Sequence, residues 1–389
     1  MTETKKAILP GINLLRDYTS MTATADEKIK AALTIENVFK EQGIDAVISG
    51  VKENALYIQF LIKVGEAQLV KEIRDLRQTI SSRLGYDIDF DEDRSILGIN
   101  ILKNETGILG LKELIRSEAF ESAHGKINFA VGTNMQGEAV VTDLADMPNL
   151  VVGGTTGSGK SVFLDCMITS MLYKYSPEEL QLVLIGTREG TFGDYRGLPH
   201  LLTPVITTCD RGIDMFDDII DESFRRYELL EKLKVRNADE YNERVKRDPS
   251  LGEPMKQVVV IIDDIADMMR YSSDEMQKAT VNMTLRIRAA GMHLVYVTQY
   301  PDKNTLTPNI KYNLVGKAGF RVATSVESNM IFGGVGLSET FGAEKLQAQG
   351  EMLFYRPGYW EKKHIIAPYI SPEEVKRVVE DIKSKYVFS

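Results

Sequence analysis

The residue types and spacing that point most directly to chemistry belong to a stretch of eight residues fitting the pattern G-x4-G-K-[ST]. They are Gly154, Thr155, Thr156, Gly157, Ser158, Gly159, Lys160 and Ser161. Glycines let the backbone wrap so that its N–H groups face phosphate oxygens. The lysine of this pattern contacts the β- and γ-phosphates, and the final hydroxyl can ligate Mg2+. We therefore predict that the loop binds ATP and Mg2+, with Lys160 as a catalytic residue and Ser161 as a metal ligand.

Two carboxylates form the second candidate element. Asp263 and Asp264 directly follow the apolar run from Val258 to Ile262, which predicts a buried strand. We expect Asp263 to hold the Mg2+ and Asp264 to orient the attacking water, because phosphoryl-transfer enzymes use carboxylates in these two roles. Acidic pairs are also common at strand ends, so the assignment depends on the phosphate loop lying next to them.

The third candidate element is the pair Thr298 and Gln299, the last two residues of the apolar run HLVYVTQ. If this strand lies between the strands that precede the loop and the aspartates, Gln299 could sense the γ-phosphate. The alternative is that these residues only cap the strand or form a turn.

The strands that position these side chains are predicted to form a buried sheet. Continuous apolar runs predict strands that are covered on both faces, as in parallel sheets; these runs are NLVVGG, LQLVLIG, QVVVIIDD and HLVYVTQ. A helix is expected directly after the phosphate loop, with its N-terminus facing the phosphates. A longer helix, about 213–233, falls between the second and third strands, and an amphipathic helix closes the chain.

The N-terminal part follows a different pattern. Helical spacing recurs from about residue 23, with Ile29, Leu33, Val38 and Phe39 as the apolar positions. Strand and helix signals then give the order α-β-β-α-β-β, which suits a small α+β domain with an assembly or spacer role. We predict an arm at residues 1–22, the small domain at 23–118 and an ATPase domain at 119–389.

Composition limits the classes of protein. The net charge of −9 and pI near 5.3 argue against a cationic protein that coats DNA, although basic residues could still converge inside a ring. No apolar run approaches the ~18 residues that cross a bilayer, so we expect a cytoplasmic protein. Two cysteines and four histidines show no metal-ligand spacing, so we expect neither a zinc site nor a disulfide.

The kind of P-loop protein is narrowed by motifs that the sequence lacks. It has no N-K-x-D base-recognition motif of GTPases and no L-S-G-G-Q stretch of transporter ATPases. Phosphoryl-transfer motors often complete their site with an arginine from a neighbouring subunit. A homo-oligomeric ring is therefore the economical expectation.

From about Ile127 onward the chain resembles the motor region of the FtsK/SpoIIIE family of double-stranded DNA translocases. The matching segments include VVGGTTGSGKSV, FRRYELL, VRNADEYNE, VVVIIDDIADMM, RAAGMHLVYVTQ and GAEKLQAQGEMLF. The resemblance implies an α/β fold with a RecA-like P-loop ATPase domain and a mainly parallel sheet, preceded by the small α+β domain. It also implies a ring, hexameric in the family, around double-stranded DNA. We find no counterpart of the family's membrane segment or of its C-terminal winged-helix domain, so a membrane-anchored partner could act in trans.

Departures from the family pattern bear on the site. Asp264 replaces a glutamate, which could slow turnover, and Tyr300 replaces an arginine that is a candidate for the neighbour's site. Basic positions of the family fall at Ser325 and Asn329, and extra residues lie around Gly333–Phe341. Candidate substitutes for the missing arginine are Arg321, Lys317, Arg286 and Arg288. We take Arg188, Arg321 and Lys345 as candidate DNA-binding or interface residues, and Arg225 and Arg226 as surface residues.

The sequence favours an ATP-driven translocase that grips double-stranded DNA without reading its bases. Two alternatives stay open. One is a coupling or secretion ATPase that moves protein or a DNA–protein complex. The other is a nucleotide-dependent DNA-binding ring with impaired hydrolysis, which the replacements at Asp264 and Tyr300 suggest.

Overall fold

The structure is a computed structural model that describes residues 9–18, 22–64, 67–93, 96–103, 105–333, 342–359 and 362–387. None of the helices in these segments is long and apolar enough to cross a membrane. The extra residues that we predicted around Gly333–Phe341 lie, apart from Gly333 itself, outside the described residues.

A small antiparallel sheet occupies the N-terminal part, in the order β1-β2-β4-β3. Its strands are β1 (Ile48–Glu53), β2 (Tyr57–Lys63), β3 (Ile88–Asp93) and β4 (Ile96–Leu102). Helices α1 (Ala25–Glu41), α2 (Ala67–Asp75) and α3 (Arg77–Leu84) pack on it. The single helix that we predicted between β2 and β3 is thus two helices, and Gly85 ends the second one in the left-handed conformation, with φ of 76°.

The larger sheet has nine strands in the order β6-β5-β13-β12-β11-β7-β10-β9-β8. The five strands from β11 to β8 run parallel, and the remaining pairs are antiparallel. The bounds are β5 (Asn128–Asn134), β6 (Ala139–Asp143), β7 (Asn149–Gly153), β8 (Leu180–Gly186), β9 (Gln257–Asp263), β10 (Met292–Thr298), β11 (Gly316–Phe320), β12 (Glu351–Tyr355) and β13 (Lys363–Ile366).

Helices cover both faces of this sheet. Their bounds are α4 (Leu111–Ile115), α5 (Glu118–Glu121), α6 (Lys160–Leu172), α7 (Cys209–Leu233), α8 (Ala238–Arg247), α9 (Ile265–Tyr271), α10 (Ser273–Arg286), α11 (Pro308–Asn313), α12 (Ser325–Phe332) and α13 (Pro372–Val387). Alternate strand residues enter opposite cores: Val259 and Ile261 face the core that contains α6, whereas Val258 and Val260 face the core that contains α7. This two-sided burial is the reason for the continuous apolar runs in the sequence.

The strand order brings the predicted site elements together. β10 lies between β7 and β9, which meets the condition under which we expected Gln299 to be able to sense the γ-phosphate. The carboxyl ends of these three parallel strands therefore meet at one edge of the sheet, which is where ligands bind in open α/β folds. The division that we predicted between residues 118 and 119 stays a prediction; Leu111 and Leu114 already pack in the core of the larger sheet.

Two expectations about which side chains are buried need correction. Ile29 and Leu33 of α1 are exposed, because the buried face of that helix is formed by Ile35, Val38 and Phe39. Arg226, which we expected at the surface, is buried. Its guanidinium donates to the carbonyl oxygens of Lys256 and Ala290, both at 2.8 Å, so hydrogen bonds offset the loss of hydration.

A buried polar cluster joins the two sheets. The Glu351 carboxylate of β12 is fully buried and accepts hydrogen bonds from the Tyr57 hydroxyl of β2 at 2.6 Å and from His364 Nε2 of β13 at 2.9 Å. It also accepts from the backbone N–H groups of Gln347 and Ala348. Burial alone would raise the pKa of Glu351, but these donors, His364 first among them, hold it below its usual range. Burial would lower the pKa of His364, but the bond to Glu351 raises it above the ordinary value.

We predict that His364→Gln lowers stability by an amount that depends on pH. A histidine whose pKa is raised in the folded protein contributes stability below its unfolded pKa of about 6.5, and that contribution is lost as pH rises through the folded value. The variant should therefore lose ~1.5–3 kcal/mol near pH 6 and less near pH 9. Chemical-denaturation midpoints across this range measure the difference.

The matched control is His200→Gln. Burial lowers the pKa of His200 to about 4, so this residue is neutral in the folded protein above pH 6, whereas the unfolded chain takes up a proton near pH 6.5. Its variant should therefore lose no more stability at pH 6 than at pH 9, the reverse of the trend expected for His364→Gln. A His364→Gln difference that failed to shrink between pH 6 and pH 9 would rule out the charged Glu351–His364 pair.

Candidate nucleotide site

The phosphate loop connects β7 to α6 and depends on its glycines. Gly157 and Gly159 have φ of 76° and 114°, in the region that favours glycine over other residues. A Cβ on Gly159 would also lie 3.2 Å from the backbone of Gly350, whose N–H donates to the Ser158 carbonyl at 3.1 Å. The loop is therefore held both by its own conformation and by the segment before β12.

Side chains of the loop bond inward. The hydroxyl of Ser158 and the ammonium group of Lys160 both donate to the carbonyl oxygen of Thr155 at 2.7 Å. Thr155 is anchored in turn, because its N–H and its hydroxyl donate to the Arg321 carbonyl at 2.9 and 3.0 Å. Burial lowers the pKa of Lys160 to about 8. The loop thus holds a poorly hydrated cation at the N-terminus of α6, a position suited to an anion.

Asp263 and Asp264 lie at the carboxyl end of β9, within the electrostatic reach of Lys160. Burial and the charge of Asp264 raise the pKa of Asp263. Asp264 is fully buried and has φ of 64°, a left-handed conformation that aspartate and asparagine tolerate better than most residues. Burial also raises its pKa, although Arg188 opposes this effect. Both carboxylates are therefore poorly hydrated, and Arg188 opposes the effect of burial on the pKa of Asp264.

Arg188 lies inside this site. Its guanidinium pairs with Oδ2 of Asp264, and its Nε lies 3.7 Å from Asp267. We had expected Arg188 at a pore or a subunit interface. The loop after β8 ends at the same sheet edge as β9, and the buried carboxylate holds the arginine there.

Asp267 is a site residue that sequence reasoning missed. It accepts from the Thr187 hydroxyl at 3.1 Å and from Arg270 at 3.0 Å. Its position three residues after Asp264, in the first turn of α9, puts both carboxylates near the same loop. That spacing was the available signal.

Gln299 touches the phosphate loop. Its side-chain oxygen accepts from the Thr156 hydroxyl at 2.7 Å. The residue before it, Thr298, is buried, and its hydroxyl accepts from the N–H of Tyr300 at 3.0 Å. Thr298 therefore has the turn role that we kept as an alternative. Gln299 lies next to the loop, and its role as a sensor of the γ-phosphate stays a prediction.

The residues expected to hold Mg2+ line a small cavity. Ser161 and Asp263 border about 190 Å³ of space between α6 and the loop at residues 190–195. Carboxylate and hydroxyl oxygens are the donors that Mg2+ takes, and it keeps several waters when bound. Asp165 also lines the cavity; burial raises its pKa to about 7, although the Tyr195 hydroxyl donates to it at 2.9 Å. The donor set and the space fit a hydrated magnesium ion.

The other candidate cations lie in different settings. Arg321 is exposed and donates to the Gln347 carbonyl at 3.1 Å, beside the phosphate loop. Lys345 is exposed in the turn before β12. Lys317 is buried and donates to the Ile331 carbonyl at 3.1 Å, so our suggestion that it could reach a neighbouring subunit was wrong. Arg286 stacks on Phe224 at 4.7 Å, and Arg288 is exposed.

Tyr300 is half exposed, with the guanidinium of Arg270 5.4 Å from its ring centre. It directly follows Gln299 at the same sheet edge. Ser325 and Asn329, the other positions where basic residues are replaced, are exposed on α12.

Comparisons with known proteins show what this chain is similar to. Residues 110–303 match the FtsK/SpoIIIE family model. The DNA translocase FtsK of Clostridium tetani is 32% identical over 383 residues, which cover 97% of this chain and 51% of that protein. The DNA translocase FtsK of Helicobacter pylori is 34% identical over 365 residues, covering 92% of this chain and 41% of the relative. This chain thus spans about half the length of these relatives or less.

Among solved structures, the pCW3 conjugation coupling protein TcpA with ATPγS matches with a TM-score of 0.57 and 18% identity. The match covers 91% of this chain and 99% of TcpA. At this identity the likeness establishes the fold, an α/β P-loop ATPase fold.

Proposed function

Because the chain belongs to the FtsK/SpoIIIE family, we propose that it is an ATPase that translocates double-stranded DNA. The observation that carries the proposal is the meeting of three elements at one sheet edge. Lys160 of the phosphate loop, the pair Asp263–Asp264 and Gln299 follow three adjacent parallel strands, β7, β9 and β10.

Each residue has a role in ATP hydrolysis under this proposal. The loop from Gly154 to Ser161 wraps the phosphates, and Lys160 neutralises their charge. Ser161 and Asp263 would hold the magnesium ion, which supplies charge neutralisation at the phosphates when bound. Asp264 orients the attacking water, and Gln299, already in contact with Thr156, reports the presence of the terminal phosphate to β10.

We propose that the protein works as a homo-oligomeric ring of six subunits. Because Lys317 is buried, the neighbour's site would be completed by the exposed Arg321 or Arg288 or by the partly buried Arg286. Arg321 and Lys345 are also the candidates for contacts with DNA phosphates. Such contacts hold the duplex without reading its sequence, which suits a motor that must move along any DNA.

A second candidate is a coupling ATPase that moves a DNA–protein complex or a protein. The observation in its favour is the structural match to the conjugation coupling protein TcpA, which extends over 99% of that chain. The two candidates differ in what stimulates hydrolysis: naked linear duplex suffices for the first and not for the second.

We predict that linear duplex DNA stimulates ATP hydrolysis and that salt weakens this stimulation. A protein that contacts several phosphates releases counterions and loses orders of magnitude in DNA affinity between about 50 and 200 mM salt. Steady-state hydrolysis with and without duplex, repeated over this range, measures the effect. The salt control is the DNA-free rate, which should change little.

Unchanged hydrolysis on adding linear duplex at low salt would contradict the translocase proposal and favour the coupling ATPase. Electron microscopy of the protein with duplex and a slowly hydrolysed ATP analogue tests the ring separately. Particles without a closed ring would overturn that part alone.

A further inference from the structure

We propose that Arg188 is a terminal-phosphate ligand that is held on Asp264 until ATP enters the site. This inference rests on the proposed ATPase function and adds a residue that recognises the γ-phosphate from within the same chain. In this structure the guanidinium pairs with the carboxylate; with ATP bound it moves to the phosphate and releases Asp264 for the attacking water.

The first support is the position of Arg188. It follows β8 by two residues and reaches the carboxylate at the end of β9, the neighbouring strand. Its charge also acts on Lys160 and on Asp263, so the guanidinium lies near both the phosphate cation and the expected metal ligand. The guanidinium of Arg188 would therefore act electrostatically on the phosphates of bound ATP.

The second support is the state of Asp264. Its Oδ2 pairs with Arg188, whereas Oδ1 is buried and has no hydrogen-bond partner among the described residues. A buried carboxylate with one free oxygen is costly, and in a structural ion pair both oxygens are usually satisfied. An unpaired carboxylate oxygen directly after the strand that carries Asp263 suits a group that must accept a bond from a substrate water.

The third support is that Arg188 is able to move. Its side chain is 39% exposed although its partner is fully buried, and its second contact, with Asp267, is long at 3.7 Å. Asp267 meanwhile keeps bonds to Thr187 and Arg270, so it stays satisfied if Arg188 leaves. The guanidinium fork binds phosphate oxygens in pairs and carries its charge at every working pH.

The test is the affinity for ATPγS compared with that for ADP. We expect Arg188→Ala to weaken ATPγS binding about 10- to 100-fold, the value of a hydrogen bond to a charged group, and to leave ADP binding nearly unchanged. Competition against a fluorescent ADP analogue, with magnesium present, gives both dissociation constants. Arg188→Lys keeps the charge beside Asp264, so the variant should fold and keep part of the preference for ATPγS.

Arg270→Ala is the matched control, because Arg270 also donates to Asp267 but does not contact Asp264. Its ratio of ATPγS to ADP affinity should equal that of the parent protein. Equal weakening of both nucleotides by Arg188→Ala, or no weakening, would overturn the inference and leave Arg188 as a permanent ion pair. If the parent protein bound ADP but not ATPγS, the inference would also fail; if it bound neither, the proposed function would fail as well.

Discussion

Lys160→Ala is expected to lower the rate of ATP hydrolysis by at least about 100-fold, the usual cost of removing one group that stabilises charge in a transition state. The ammonium group is buried in the phosphate loop, where it is poorly hydrated and its pKa is lowered to about 8. A cation in such surroundings interacts with phosphate charge far more strongly than one in water. The loss should therefore be larger than for any surface lysine.

The fold should survive this change. Lys160 donates a single hydrogen bond, to the Thr155 carbonyl, and its burial costs free energy. We expect the thermal midpoint of the variant to be equal to or above that of the parent protein. Lys232→Ala, which removes an exposed lysine of α7, is the control and should keep full activity. Normal turnover in Lys160→Ala would contradict the assignment of the site.

Asp264→Asn is expected to lower hydrolysis by about 100-fold or more while nucleotide binding is retained. Asparagine tolerates the left-handed conformation at φ of 64° as well as aspartate does, so the backbone before α9 stays in place. The change removes only the charge that orients water and pairs with Arg188. Single-turnover hydrolysis and ADP affinity, measured on the same preparation, separate the chemical step from binding.

Asp264→Glu distinguishes a slow motor from a binding ring. A longer carboxylate could reach the water better and restore a weakened rate, although glutamate is less suited to the left-handed backbone than aspartate. A rate that rises in this variant supports a slow hydrolase. A near-zero rate in both the parent protein and Asp264→Glu would instead support the nucleotide-dependent DNA-binding ring.

The phosphate loop and the aspartate pair were predictable from the sequence because the residues of each motif are consecutive in the chain. The loop from Gly154 to Ser161 needs glycines at fixed positions, and the apolar run before Asp263 needs a strand buried on both faces. Parallel strands place their carboxyl ends at one edge, so the meeting of Lys160, Asp263 and Gln299 followed from the order of the strands.

The remaining features depend on contacts between distant residues. Arg188 and Asp264 are 76 positions apart, and nothing in the local pattern shows that the arginine belongs to the buried carboxylate and not to the surface. Arg226 and Lys317 were misassigned for the same reason. Long cationic side chains are usually exposed, and only the fold reveals the carbonyl oxygens that accept from them.

The buried polar cluster that joins the two sheets could not be predicted from the sequence for a further reason. Tyr57, Glu351 and His364 come from three strands in two sheets and carry no spacing signal. The segment before Glu351 also donates to the phosphate loop through Gly350. The nucleotide site and the small sheet are thus connected through one short stretch of chain.

Displacement of a third strand from duplex DNA is the most direct test of the account. A short oligonucleotide bound as a triplex at one end of a linear duplex is released when a translocase passes through it. We predict release that requires ATP and magnesium, that occurs on duplexes of unrelated sequence, and that is lost in Lys160→Ala. ATP hydrolysis at a normal rate with the triplex intact would contradict the claim that this protein moves along DNA.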